Sequence, residues 1–153
     1  MIRRALLAVL LMLPLAAQAG APVALKAEDV PALLKPPAHG VRVLALWGLD
    51  CAYCESNLQA LMKLRRAHPR EIELIAVATD SVQQSVALEQ RLHAAGVDTL
   101  PSRAYADAMP ERINYLIDPD WGGELPRTLI IRADGSRSGI SGQLTPAKLA
   151  TIP

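Results

Sequence analysis

The sequence predicts an α/β fold, a central mixed sheet flanked by helices, and three observations carry that prediction. Two nearly continuous apolar runs, Val41 to Trp47 and Ile72 to Ala78, read as strands covered on both faces of a parallel sheet. A helical pattern lies between them, so the three together form a strand–helix–strand unit whose crossover should be right-handed. Two later runs, Thr128 to Arg132 and Arg137 to Ser141, flank Asp134-Gly135, a dipeptide that favours a tight antiparallel hairpin.

The elements follow in order. At the start, Arg3 and Arg4 precede an apolar stretch from Ala5 to Leu13, Pro14 breaks it, and Ala17-Gln18-Ala19 gives a small-x-small pattern. This is the form of a secretory signal cleaved after Ala19, and the apolar stretch is shorter than the roughly 20 residues a bilayer span needs. Residues 20–40 read as a lead-in interrupted by Pro22, Pro31, Pro36 and Pro37, with room for a short helix over Glu28 to Leu34. The domain proper is expected over residues 41–153. Its first helix runs from about Cys54 to His68, with Leu58, Leu61, Met62 and Arg65 at spacings of three and four, and Pro69 ends it. A second begins near Ser81, where Ser81 and Gln84 have capping-box spacing. Val82, Val86 and Leu92 form its inner stripe, and Gly96 sits at the C-cap. A short helix entered through Pro110 is expected within Asp107 to Leu116, and Thr145-Pro146 can start a last one.

Removing 19 of the 153 residues leaves 134, enough for one domain with its own core. The 16 Lys and Arg lose Arg3 and Arg4, leaving 14 against 15 acids and a net charge near −1. No basic stripe is present, so nucleic acid is not an expected partner. Export to a periplasm would place the chain in an oxidising compartment.

Against that background its only two cysteines, in Cys51-Ala52-Tyr53-Cys54, are the chemically informative feature. They stand between the first strand and the first helix. Closing so short a loop removes only roughly 2 kcal/mol of unfolded-state entropy, a weak staple. At a helix start, backbone N–H groups and the positive helix end favour a thiolate, so Cys51 is the candidate nucleophile and Cys54 the resolving thiol. Asp50 and Glu55 oppose that thiolate, which predicts a modest lowering of its pKa. A structural disulfide and half of a zinc site are the plain alternatives, although His39, His68 and His93 form no second cluster. Cu(I) handling by the same thiols is a further one. A second signal is Leu125-Pro126-Arg127-Thr128, where proline heads a strand. If its bond is cis, the turn could bring the Leu125 backbone beside the cysteines, where it could pair with an extended substrate.

With Trp47-Gly48-Leu49-Asp50-Cys51-Ala52-Tyr53-Cys54, then Trp121 to Thr128, then Asp134-Gly135 in this order, the chain resembles the thioredoxin-like superfamily, specifically its exported TlpA-type disulfide-reductase branch. The resemblance implies a thioredoxin-like fold and a Cys51/Cys54 pair that cycles between dithiol and disulfide. It makes Pro126 the family's cis-proline, and Trp47 matches the family Trp four residues before the first cysteine; Trp47 is expected with Leu125 and Pro126 on the substrate side, as a core aromatic, or as both. It also implies protein thiol or disulfide partners, a membrane-embedded electron donor and no cofactor. Three places depart from the family. Asp50 replaces an aromatic, Ala45 stands where thioredoxins carry a buried acid, and Asn57 stands where related reductases carry a Glu. Glu55 is expected at the surface of the first helical turn. The expected activity is that of an exported thiol-disulfide oxidoreductase acting as a reductase, with an oxidase, an isomerase or a weakly catalytic binding module of the same fold beside it.

Overall fold

The computed structural model describes residues 21–153; the expected signal segment lies outside them. Six strands, β1 (Val23–Leu25), β2 (Val41–Trp47), β3 (Ile72–Ser81), β4 (Ser102–Tyr105), β5 (Arg127–Arg132) and β6 (Arg137–Ser141), form one sheet in the order β1-β4-β3-β2-β5-β6. Strand β2 is central, parallel to β3 and antiparallel to β5. The apolar runs take these places because a central strand buries both faces. Alternate β2 residues divide between two cores: Val43, Ala45 and Trp47 on one side, Leu44 and Leu46 on the other. The first core is closed by α2 (Cys54–Ala67) through Leu58, Leu61 and Met62, and by α3 (Ser85–Ala94) through Leu88 and Leu92. The second is closed by α1 (Val30–Leu33) and α4 (Pro110–Ile117) through Val30, Leu33, Ile113 and Ile117.

The expected hairpin forms between β5 and β6 (Arg137–Ser141), with Gly135 at φ 86° and its amide donating to the Arg132 carbonyl at 2.9 Å. The short helix through Pro110 is α4, and the last helix is α5 (Pro146–Leu149), capped by the Thr145 hydroxyl. Gly96 takes φ 68° after α3, where the Val97 amide bonds back to the Leu92 carbonyl at 3.0 Å.

Two expectations need correction. The 20–40 lead-in is not outside the domain. Val23–Leu25 forms β1, pairing in parallel with β4 (Ser102–Tyr105), and Leu25, Val30, Leu33 and Leu34 are buried in the second core. The expected short helix within Glu28 to Leu34 does form, as α1 with Pro31 in its first turn, entered through a 3-10 turn over Ala27–Asp29. Val86 does not belong to the inner stripe of α3. The first turn after Ser81 is 3-10 (Val82–Gln84), its Ser81 hydroxyl accepts from Gln83 rather than boxing with Gln84, and this phase change leaves Val86 67 % exposed. Strand β4 itself carries too few apolar residues to signal a strand, and is completed by its neighbours on both sides.

Candidate active site

The two cysteines sit where β2 hands the chain to α2. They are joined as a disulfide with their Cα atoms 5.5 Å apart. Cys54, the first residue of α2, is 2 % exposed and packs in the first core, while Cys51 is half-buried at its margin. This asymmetry leaves one sulfur accessible and the other shielded. Helix α2 begins without a side-chain N-cap, so no side chain competes with Cys51 for the positive helix end. Asp50 is exposed and Glu55 is half-buried at the surface of that first turn.

The Leu125–Pro126 peptide is cis. Its loop is tied on each side of Leu125. The Trp121 indole N–H donates to the Glu124 carbonyl at 2.7 Å, and the Pro126 carbonyl accepts from the Gly142 amide at 2.9 Å. Between these ties the N–H and C=O of Leu125 have no hydrogen-bond partner among the described residues. The Leu125 side chain leans on the chain just before Cys51: a Cβ on Gly48 would lie 3.0 Å from Leu125 Cδ1. Gly48 is therefore where the proline loop and the cysteine loop touch, and a side chain there would separate them.

Below the proline loop lies a charged cluster. Arg127 Nη2 meets Asp118 Oδ2 at 2.6 Å and Arg127 Nη1 donates to the Ser141 hydroxyl at 2.7 Å. The Ser141 hydroxyl donates to Glu124 and, with the Arg127 guanidinium nearby, holds that carboxyl below the usual carboxylate range. The Arg127 guanidinium lies over Gly139, in space that a Cβ there would fill.

Trp47, expected on the substrate side, is 2 % exposed and lies in the core with Cys54, so a partner does not reach it at the surface. Its indole N–H is buried without an acceptor among the described residues. Ala45 is likewise in that core, with no acid at its place. Asn57 is 4 % exposed and has a definite task. Its Nδ2 donates to the Gly142 carbonyl at 3.0 Å, and its Oδ1 accepts from the Leu144 amide at 2.9 Å. One side chain thus ties the first turn of α2 to the same Gly142 that holds Pro126. Among the described residues no group of three or more His, Cys, Asp or Glu could hold a metal ion.

Sequence reading missed a second group of residues, at the end of β3. Thr79 donates to the Trp47 carbonyl at 3.4 Å, Asp80 accepts from the Leu49 amide at 2.9 Å, and Arg91 of α3 donates to the Leu49 carbonyl at 3.3 Å. Polar residues ending an apolar strand carry no signal by themselves; only the tertiary pairing shows what they hold.

Solved structures share this arrangement of elements. A thioredoxin-related protein from Neisseria meningitidis serogroup B matches with a TM-score of 0.58 at 22% identity, over 74% of this chain and 82% of that one. A secreted Mycobacterium tuberculosis disulfide oxidoreductase homologous to E. coli DsbE matches at 0.57 and 16%, over 74% and 82%. StoA from Bacillus subtilis matches at 0.54 and 20%, over the same shares. The fold is thioredoxin-like. No family model and no curated protein matches the chain.

Proposed function

We propose that this protein is an exported thiol-disulfide oxidoreductase that works as a reductase of protein disulfides. The observation that carries the reading is the pairing of an accessible Cys51 with a shielded Cys54 at the start of α2, facing a cis-Pro126 loop with an unpartnered backbone. In the dithiol form the Cys51 thiolate attacks one sulfur of a substrate disulfide. A Cys51–substrate bond forms as the substrate S–S bond breaks, and the leaving thiolate takes a proton. Cys54, three residues on, then attacks Cys51 Sγ, closing the Cys51–Cys54 disulfide and releasing the second substrate thiol. Two electrons and two protons pass to the substrate, so a reductant must restore the dithiol. A membrane-embedded donor on the same side of the membrane would serve.

Substrate recognition falls to Leu125, whose N–H and C=O can pair with an extended segment, as strand addition does elsewhere. Pro126 fixes that backbone and Trp47 supports the cysteine loop from beneath. Export rests on the sequence of residues 1–19. Equilibration with glutathione tests the direction of electron flow: a potential below about −220 mV marks a reducing couple, and a value near that of the strong oxidants would reverse the assignment. Insulin-type disulfide reduction, abolished in Cys51→Ser, tests the activity itself.

A further inference from the structure

Resting on the dithiol reading above, we propose that Asp80 is a positioning residue for the nucleophile loop and that its fixed charge biases the Cys51/Cys54 couple toward the disulfide. The parallel register of β3 with β4 is regular through Ala78↔Ala104 and resumes at Ser81↔Tyr105, so Thr79 and Asp80 form a bulge. In an uninterrupted strand these neighbours would face opposite sides of the sheet. Here both reach the end of β2 and the chain just after it, Thr79 at the Trp47 carbonyl and Asp80 at the Leu49 amide. Bulges of this kind re-aim side chains beside functional sites. The same Asp80 oxygen would lie 3.1 Å from a Cβ on Gly48, the point that Leu125 Cδ1 approaches from the other side. Asp80 therefore stands at the junction of the cysteine loop and the proline loop at Gly48, bonded to the amide two residues before Cys51.

The bond has two consequences. It fixes the Leu49 amide, while Arg91 fixes the Leu49 carbonyl at 3.3 Å, so one peptide unit on either side of Leu49 is held from β3 and α3. It also holds a carboxylate on the chain two residues before the sulfur that must become a thiolate. The charged groups around this loop are Asp50 and Glu55 beside the cysteines, Asp80 from β3 and Arg91 from α3, while Glu124 of the proline loop is paired with Arg127. Acids outnumber cations there. A like charge disfavours the thiolate, and a less favourable thiolate shifts the couple toward its disulfide, making the dithiol a stronger reductant.

Three variants separate geometry from charge. Asp80→Asn keeps an oxygen for the Leu49 amide and removes the charge; Asp80→Ala removes both; Arg91→Met removes the opposing cation. Thiolate absorbance is titrated in a Cys54→Ser background, and the glutathione equilibrium is measured with both cysteines present. In Asp80→Asn, Cys51 should ionise about one unit lower, and at pH 7 the equilibrium should move about threefold toward the dithiol. Arg91→Met should move both in the opposite direction, a reversal that a structural role alone does not produce. Asp80→Ala should match the charge effect of Asp80→Asn and in addition slow the reaction of Cys51 with an alkylating agent at matched thiolate fraction. An unchanged titration and equilibrium in Asp80→Asn overturns the charge role. Equal alkylation rates in the Asn and Ala variants overturn the positioning role. Wild-type insulin reduction is scored separately: an inactive wild type whose Cys51 titration still responds to Asp80→Asn removes the reductase reading and leaves the electrostatic role of Asp80 standing.

Discussion

The substitution Asn57→Asp changes one atom group and should convert a pH-insensitive tether into a pH-sensitive one. Asn57 is buried and uses both ends of its amide, donating to the Gly142 carbonyl and accepting from the Leu144 amide. An ionised carboxylate at this position keeps the second bond and loses the first, leaving a carboxylate oxygen against a carbonyl oxygen in a site with almost no water. The protonated carboxyl can donate to Gly142 and restore both bonds. The neutral form is therefore favoured in the folded state, and the carboxyl pKa rises above its unfolded value near 3.9. For an acid shifted upward, stability is fully present below the unfolded pKa and is lost as pH rises through the folded one. A rise of about two units corresponds to about 3 kcal/mol lost between pH 4 and pH 7, since each unit is about 1.4 kcal/mol. The assay is urea unfolding of the oxidised protein at intervals from pH 4 to pH 8, with the wild type measured beside it to cancel every other titration. At pH 4 the variant should lie within about 1 kcal/mol of wild type, and at pH 7 it should be well below it. A difference that stays flat across this range would refute both the burial of the site and the assigned bond directions, because desolvation and the Nδ2–Gly142 bond each make the site reject a charge.

Arg127→Met leaves Asp118 without its cation in a pair whose side chains are 12% and 10% exposed, which should cost about 3–5 kcal/mol and lower the melting temperature by more than about 10 °C in a thermal scan. Retention of wild-type stability would mean that the pair is solvated in solution. Burial pushes the Tyr105 phenol well above its usual value, and it donates to Asn114 Oδ1 at 2.7 Å. Its contribution is present below the unfolded pKa near 10 and is lost as pH rises beyond it, so unfolding above pH 10 should be less steep in Tyr105→Phe, at a cost of about 1 kcal/mol at neutral pH. Superimposable alkaline limbs of the two proteins would rule Tyr105 out as their cause.

What was legible in the sequence was whatever depended on local pattern. Val41 to Trp47 is apolar throughout because both of its faces are covered, and that signal survives without knowing what covers them. Asp134-Gly135 and Gly96 were legible because their backbone conformations restrict which residues fit. Val23–Leu25 and Ser102–Tyr105 were not, since three or four mixed residues become strands only by pairing with one another and with β3. The phase of α3 was misread for a related reason: a 3-10 turn after Ser81 rotates every later position, and no residue type announces it. At the candidate site, the cysteines and Pro126 were visible by type and order. The roles of Asn57, Asp80 and Arg91 were not, because each acts on a backbone group distant in sequence, and a backbone group has no identity to read.

That division bears on the loss of acid–base groups expected from the sequence. Asn57 stands where the sequence resemblance leads one to expect an acid and cannot exchange a proton at neutral pH, yet it is neither idle nor solvated. It spends its amide on the segment from Gly142 to Leu144, and Gly142 in turn holds the Pro126 carbonyl. The start of α2 and the proline loop are thereby fixed through a shared residue, while Asp80 and Arg91 fix the loop before Cys51 from the other side. What remains free at the centre is Cys51, half-buried, and the backbone of Leu125. A site with this distribution relies on preorganised geometry more than on proton transfer by a buried base. Protons released or taken up during exchange would then pass to solvent at the accessible Cys51 side, since Cys54 is shielded in the core.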